Sequence, residues 1–138
     1  MSIVQTQTTS FKKELYQAVH NLSTDTLKIA LYTGDANLNA DTMVYASTNE
    51  VVATGYTAGG NTLTGVAISS SGSTAYVNWA NTSWTAALTA RCALIYNVTQ
   101  GNKSIAVIDF GADKTSTTTF TITMPSNTST TALIRSSN

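Results

Sequence analysis

The chain has little that carries charge and less that reacts. Its 138 residues include one cysteine, one proline and one histidine, and charged residues make up 10%, against about 25% in ordinary globular domains. A single cysteine, Cys92, forms no intramolecular disulfide, so nothing in the fold depends on an oxidising compartment. One Cys and one His also fall short of a structural zinc site. Seven Lys+Arg balance seven Asp+Glu. That leaves no basic stripe to neutralise phosphates and no acidic tail, so no nucleic-acid partner is expected. No apolar run approaches the ~18 residues of a membrane span, and no membrane partner is expected either. Residues 1–6 lack the basic start and apolar stretch of a secretory signal, which implies synthesis in a cytoplasm without export by the usual route.

What the chain does have is apolar residues (42%) and hydroxyls, with 26 Thr and 15 Ser. Threonine is β-branched and suits a pleated surface, so a mainly β domain with uncharged outer faces is expected. One segment reads as helix. Phe11, Leu15, Val19 and Leu22 recur at helical spacing behind Ser10 as N-cap, predicting a helix over about 10–22 whose apolar stripe docks on a sheet or a neighbour. Period-two segments follow. Leu27, Ile29 and Leu31 alternate with Lys28, Ala30 and Tyr32, and 43–46 and 49–54 read as short strands. Hairpin signals at 70–73 and 99–103 separate 62–69 from 74–79 and 90–98 from 104–110. Segment 84–88 reads more weakly, 117–124 alternates up to Pro125, and 131–135 suits a last edge strand. Eight or nine short strands at such spacings predict one β-sandwich domain over 10–135, with a flexible arm at 1–9 and a polar tail at 136–138.

No set of residues converges on catalysis. His20 sits one helical turn after Tyr16, where an aromatic pair is ordinary packing. Cys92 lies among Ala93, Leu94 and Ile95, the setting of a small buried hydrophobe. Asp35, Asn37, Asn39 and Asp41 alternate like the start of a calcium loop, but Ala40 stands where the sharp turn needs Gly and Ala46 where a closing Glu belongs. Gly55 and Gly60 have the separation of a phosphate loop, with Asn61 in place of the lysine. Asp109 and Asp113 flank a turn and could be a carboxylate pair, though turn chemistry is the ordinary role of such aspartates. Tyr76, Trp79 and Trp84 could form a sugar platform, or serve as core or subunit contacts. No catalytic residue, cofactor or metal is expected.

The wording of several motifs carries a resemblance. Ser10-Phe11-Lys12-Lys13-Glu14-Leu15, Val19-His20-Asn21 and Leu27-Lys28-Ile29-Ala30-Leu31-Tyr32-Thr33 come first. Asn49-Glu50-Val51, Gly55-Tyr56-Thr57-Ala58-Gly59-Gly60, Trp84-Thr85 and Ala90-Arg91 follow. Ala93-Leu94-Ile95-Tyr96-Asn97 and Val107-Ile108-Asp109-Phe110-Gly111 complete the series. In this order, over about residues 10–124, the chain resembles a family of small tailed-bacteriophage virion proteins. The resemblance implies a jelly-roll-like sandwich and a structural role, foremost as a head-decoration or cement protein on the capsid exterior. Its partner would be the major capsid protein, in particles assembled in the host cytoplasm. A tail or head–tail joining component and a carbohydrate or host-surface binding module are the other expectations. A scaffold that works through area also implies a homo-oligomer, dimer or trimer. Phe11, Leu15, Val19, Leu22, Trp79 and Trp84 are the expected interface residues.

Overall fold

The computed structural model describes residues 2–137. The chain is mainly β, with one short helix and several sheets. In chain order the elements are β1 (Ser2–Ile3), β2 (Thr6–Gln7), α1 (Thr9–Tyr16), β3 (Leu27–Tyr32), β4 (Asn37–Leu38), β5 (Asn61–Thr62) and β6 (Ala67–Ser71). They continue as β7 (Thr74–Asn78), β8 (Thr82–Trp84), β9 (Thr89–Asn97), β10 (Lys103–Thr115), β11 (Phe120–Ile122) and β12 (Ile134–Ser136). A five-stranded sheet runs β2-β10-β9-β3-β5, a three-stranded sheet runs β12-β7-β6, and β8-β11 and β1-β4 form two-stranded ribbons.

The middle of the five-stranded sheet explains why residues 92–96 of β9 read as an unbroken apolar run: they are covered on both faces. On one face Leu27, Ile29, Leu31, Ala93 and Ile95 meet Phe11 from the helix, Val77 and Ile134 from the three-stranded sheet, and Trp84 and Phe120 from the β8-β11 ribbon. On the other, Ala30, Tyr32, Cys92, Leu94, Tyr96 and Val107 pack with Ala36, Leu38, Ile3 and Tyr45. Alternation in β3 thus sends both sets of side chains into a core. Strand β10 keeps pace with β9 through two irregularities. Ile105 is an extra residue between Ser104 and Ala106, and residues 110–113 bulge out before pairing resumes at Lys114. The turn expected after Asp109 is therefore a wide bulge inside one strand.

Several expectations about local structure change. The expected arm is built into the fold over the described residues. β2 pairs with β10, β1 runs parallel to β4, and Thr8 is fully buried. Met1 and Asn138, parts of the expected arm and tail, lie outside the described residues. Segments 43–46 and 49–54 are loop, and their strand-like pairing is confined to the isolated bridges Val44–Lys103 and Tyr32–Glu50. Only 120–122 of the alternating stretch 117–124 is strand.

The helix is shorter than its apolar spacing suggests, for a local reason. Thr8, not Ser10, is the N-cap, its hydroxyl accepting from the Phe11 N–H. At the other end the Ala18 N–H bonds Leu15 O and the Val19 N–H bonds Glu14 O, while Ala18 takes the left-handed conformation (φ 57°). This pair of bonds is a Schellman closure. It turns the chain so that His20 and Leu22 face the core instead of continuing the wheel. Glycine normally occupies that left-handed position, and alanine there carries a strain of about 1 kcal/mol. Ala18 is exposed, so Ala18→Gly is expected to stabilise the fold by about 0.5–1 kcal/mol, read as a rise of a few degrees in a thermal melt.

Candidate functional site

The closure after α1 delivers His20 into a chain of polar side chains. His20 Nε2 lies 2.9 Å from Glu14 Oε1, and His20 Nδ1 lies 3.0 Å from Asn97 Nδ2. Asn97 Nδ2 also donates to Asp25 Oδ2 at 2.8 Å, while Asn97 Oδ1 accepts from the Gln100 N–H. Those two bonds fix the orientation of the Asn97 amide, so its N–H faces Nδ1 and the ring proton sits on Nε2, donated to Glu14. The ring is buried and tilted against Phe11 at 5.2 Å between centroids. His20 therefore has its basic nitrogen occupied by Asn97 and its acidic one by Glu14. A general base needs one nitrogen open to a substrate, and this imidazole instead pins the end of α1 to β9.

Burial raises the Asp25 carboxyl, but hydrogen bonds from the Asn21 N–H, Asn97 and Gln100 outweigh it and hold the group below the usual carboxylate range. Asp109 is held low as well, first by the Gly111 N–H and then by Arg91, whose Nε lies 3.2 Å from Oδ1. A carboxyl depressed in the folded state contributes stability that is present above its unfolded pKa, about 3.9, and is lost as pH falls through the folded value. Thermal melts are therefore expected to be level from neutral pH to about 5 and to drop below about 4. In Asp25→Asn the acid limb of that profile should be shallower.

A second polar cluster escaped the sequence reading. Glu50, 7% exposed, accepts from Tyr45 Oη at 2.5 Å through Oε1. Its Oε2 accepts from Tyr56 Oη at 2.5 Å and from the Gly59 N–H at 2.8 Å. Tyr56 Oη in turn accepts from the Leu31 N–H, Tyr96 Oη donates to Gly59 O, and Tyr32 Oη donates to Ala46 O. Tyr45 stacks on Tyr96 at 4.6 Å. Burial, together with the Glu50 carboxylate, pushes Tyr45 and Tyr56 well above the ordinary phenol range and Tyr96 up to about 12. The phenols thus remain protonated donors. Among the described residues no Lys or Arg forms an ion pair with Glu50. The cluster clamps the 45–60 loop to β3 and β9. Its signal in the sequence is a lone Glu beside Val51 and Val52, with tyrosines five residues before and six after.

The other sequence candidates do not assemble. Cys92 is fully buried, and burial followed by the Asp109 charge pushes its thiol up to about 12. Asp109 is engaged by Arg91 and Gly111, while Asp113 is exposed on the bulge. In the 35–41 loop Asn39 Oδ1 accepts from the Asp41 N–H, an Asx turn, and Asn37 Oδ1 accepts from Asn39 Nδ2. Among the described residues no three His, Cys, Asp or Glu side chains are grouped to hold a metal.

Of the six expected interface residues, Phe11, Trp79 and Trp84 are buried in the chain's own core at 0%, 5% and 4% exposure. Trp84 packs on Tyr56 and Phe120. This corrects both the sugar platform and the Trp79–Trp84 contact region, because large aromatics gain more from the core than from solvent. Leu15 is 39% exposed, and Val19 and Leu22 are half-buried. Leu15 and Leu22 line a groove of about 370 Å³ between α1 and the three-stranded sheet, with Ala18, Ile68, Ala75 and Ile134. A larger open groove, about 700 Å³, lies between β10 and β11 among Ile108, Phe110, Phe120, Met124 and a run of threonines. Comparison of the chain with protein-family models, with curated proteins and with solved structures gives no match.

Proposed function

We propose that this chain is a non-enzymatic structural protein of a tailed-bacteriophage virion, a decoration or cement protein on the capsid exterior that binds and stabilises the shell of major capsid protein. The observation that carries this reading is how the polar chemistry is used. The imidazole and the buried glutamate hold the chain's own loops and strands, and the thiol is sealed in the core, which is how a scaffold uses such groups. The ordered motif series resembling virion proteins supports the same role, as does a surface poor in charge. In this reading the five-stranded and three-stranded sheets are the layers of a jelly-roll-like sandwich. The protein is assembled in the host cytoplasm as a dimer or trimer, without nucleic acid, membrane, metal or cofactor.

Contacts made by such a surface rest on apolar burial and neutral hydrogen bonds, not on attraction between charged faces. Salt screens exposed charges beyond about 8 Å at physiological strength and leave apolar burial intact. Purified heads should therefore retain the protein through moderate salt and melt at higher temperature than stripped heads. Retention across a salt series, paired melting curves and cryo-microscopy of the whole particle are the measurements. Release at moderate salt with identical melting would defeat the cement reading. Density at the tail or the joining ring would place the protein there instead.

A further inference from the structure

We infer that the outer edge of β6 pairs antiparallel with β6 of a second copy of this chain, joining two three-stranded sheets into one of six strands. The inference deepens the homo-oligomer part of the proposed function by naming the surface. β6 is the last strand of its sheet, and all five of its residues are exposed. An open edge presents unpaired N–H and C=O groups, which proteins usually protect with charge, proline, a bulge or a covering segment. β6 has no proline or charged residue, and its register with β7 is regular from Ala67 to Ser71. Residues 51–90 contain no Lys, Arg, Asp, Glu or His at all. Two such edges meet without like-charge repulsion, and each is neutral as its partner must be.

The hairpin geometry sets which groups are offered. A two-residue turn, Gly72 and Ser73, joins Ser71 to Thr74, with Gly72 at φ 59°. Its closing pair is hydrogen-bonded across the hairpin, so by alternation Ser69 and Ala67 direct their backbone groups to β7. Ile68 and Ser70 direct theirs outward. On the same alternation the side chain of Ile68 shares a face with Val77 and Ile134, its cross-strand neighbours in the row. Exposure along this row is 5% at Ile134, 5% at Val77 and 55% at Ile68. The apolar row is covered in the middle and stops uncovered at the edge. A two-fold centred on Ile68 puts Ile68 against its own copy and Val66, 36% exposed, against Ser70 of that copy, continuing the row across the junction.

Area limits how strong this contact is. Five paired residues span about 17 Å, and strand pairing alone falls short of the ~1,600 Å² of a standard interface. The groove that Ile68 shares with Leu15 and Leu22 lies on the same face and is covered in part by the incoming strand. The pairing is therefore expected to be concentration-dependent in solution and reinforced when copies are held close on a particle.

The test uses the full chain. Light scattering after size exclusion, across a concentration series, should show wild type approaching twice its 14.5 kDa mass. Ser70→Pro removes only an outward-facing N–H, and Ile68→Lys places like charges opposite each other. Each should weaken the dimer by more than about tenfold with an unchanged circular dichroism spectrum. Ile68→Cys should form a disulfide-linked dimer under mild oxidation, since directly paired strand residues lie within disulfide reach. Ser71→Cys, facing Gly65 of the copy, should not, and the buried Cys92 stays out of the reaction. An oligomer that survives Ser70→Pro, with no cross-link at residue 68, would overturn the β6 surface while leaving a homo-oligomer in place. A chain monomeric at every concentration would overturn both. Co-sedimentation with stripped heads reads the capsid role separately. Protection of β6 amides on the particle, with no cross-link between Ile68→Cys copies bound there, would assign the edge to a capsid strand and overturn self-pairing.

Discussion

Glu50→Ala is expected to destabilise the fold by about 3–5 kcal/mol, the cost of the buried donors it leaves unpaired less what water restores. The substitution leaves Tyr45 Oη, Tyr56 Oη and the Gly59 N–H without their acceptor. Each buried donor left unpaired costs about 1–3 kcal/mol, partly offset where water enters beside Tyr45. Against a margin of about 5–15 kcal/mol for a domain this size, the loss should lower the melting midpoint by 10 °C or more, on the order of 2–8 °C per kcal/mol. Glu50→Gln keeps one acceptor oxygen but turns an amide N–H toward a donor, so it should fall between wild type and alanine. Tyr56→Phe combined with Glu50→Ala should cost less than the sum of the two, because both remove the same bond. Urea titration of the four proteins gives the cycle. A loss below about 1 kcal/mol for Glu50→Ala would show that water replaces the clamp.

Gly60→Ala should be still more damaging, with at least about 4 kcal/mol lost or no folded protein recovered. Gly60 has φ 82°, and a Cβ built there would lie 1.8 Å from Ile29 O and 2.6 Å from its carbonyl carbon. Both are backbone atoms of β3, the strand buried on both faces, and cannot swing aside as a side-chain tip would. The methyl group can be housed only by separating β5 from β3. Gly72→Ala is the matched control. Its φ is 59°, nothing lies within 4 Å of the added carbon, and only the left-handed strain of about 1–2 kcal/mol remains. Parallel melts of the two variants separate conformational strain from overlap. Equal losses would mean that the loop at Gly60 moves away from β3 at little cost.

These two sites also show where the sequence was legible. Leu27–Tyr32, Thr89–Asn97 and both hairpins stand out because local alternation and turn residues act within a few positions. The helix start and length were misread by competing local features. Thr8 and Ser10 are both good caps, and the apolar spacing through Leu22 hides a Schellman closure made with alanine instead of glycine. The strands at residues 2–7 were illegible, because two-residue strands leave no period to detect and exist only through β10 and β4. The Glu50 clamp was illegible for a related reason. Its donors come from positions 45, 56 and 59, and only the path of the loop over β3 and β9 brings them to one carboxylate.

Composition and periodicity alone determined that this is a mainly β chain with one short helix. Those properties follow from side-chain branching, alternation and turn chemistry, which act locally. The tertiary structure decided what each polar residue is for. His20, Asn97 and Asp25 became one hydrogen-bonded chain, Glu50 became a clamp, and Trp79 and Trp84 became core rather than surface. It also left the edge of β6 uncovered. Burial and pairing depend on which distant segments arrive at a surface, and that is set by packing of the whole chain, not by any window of it.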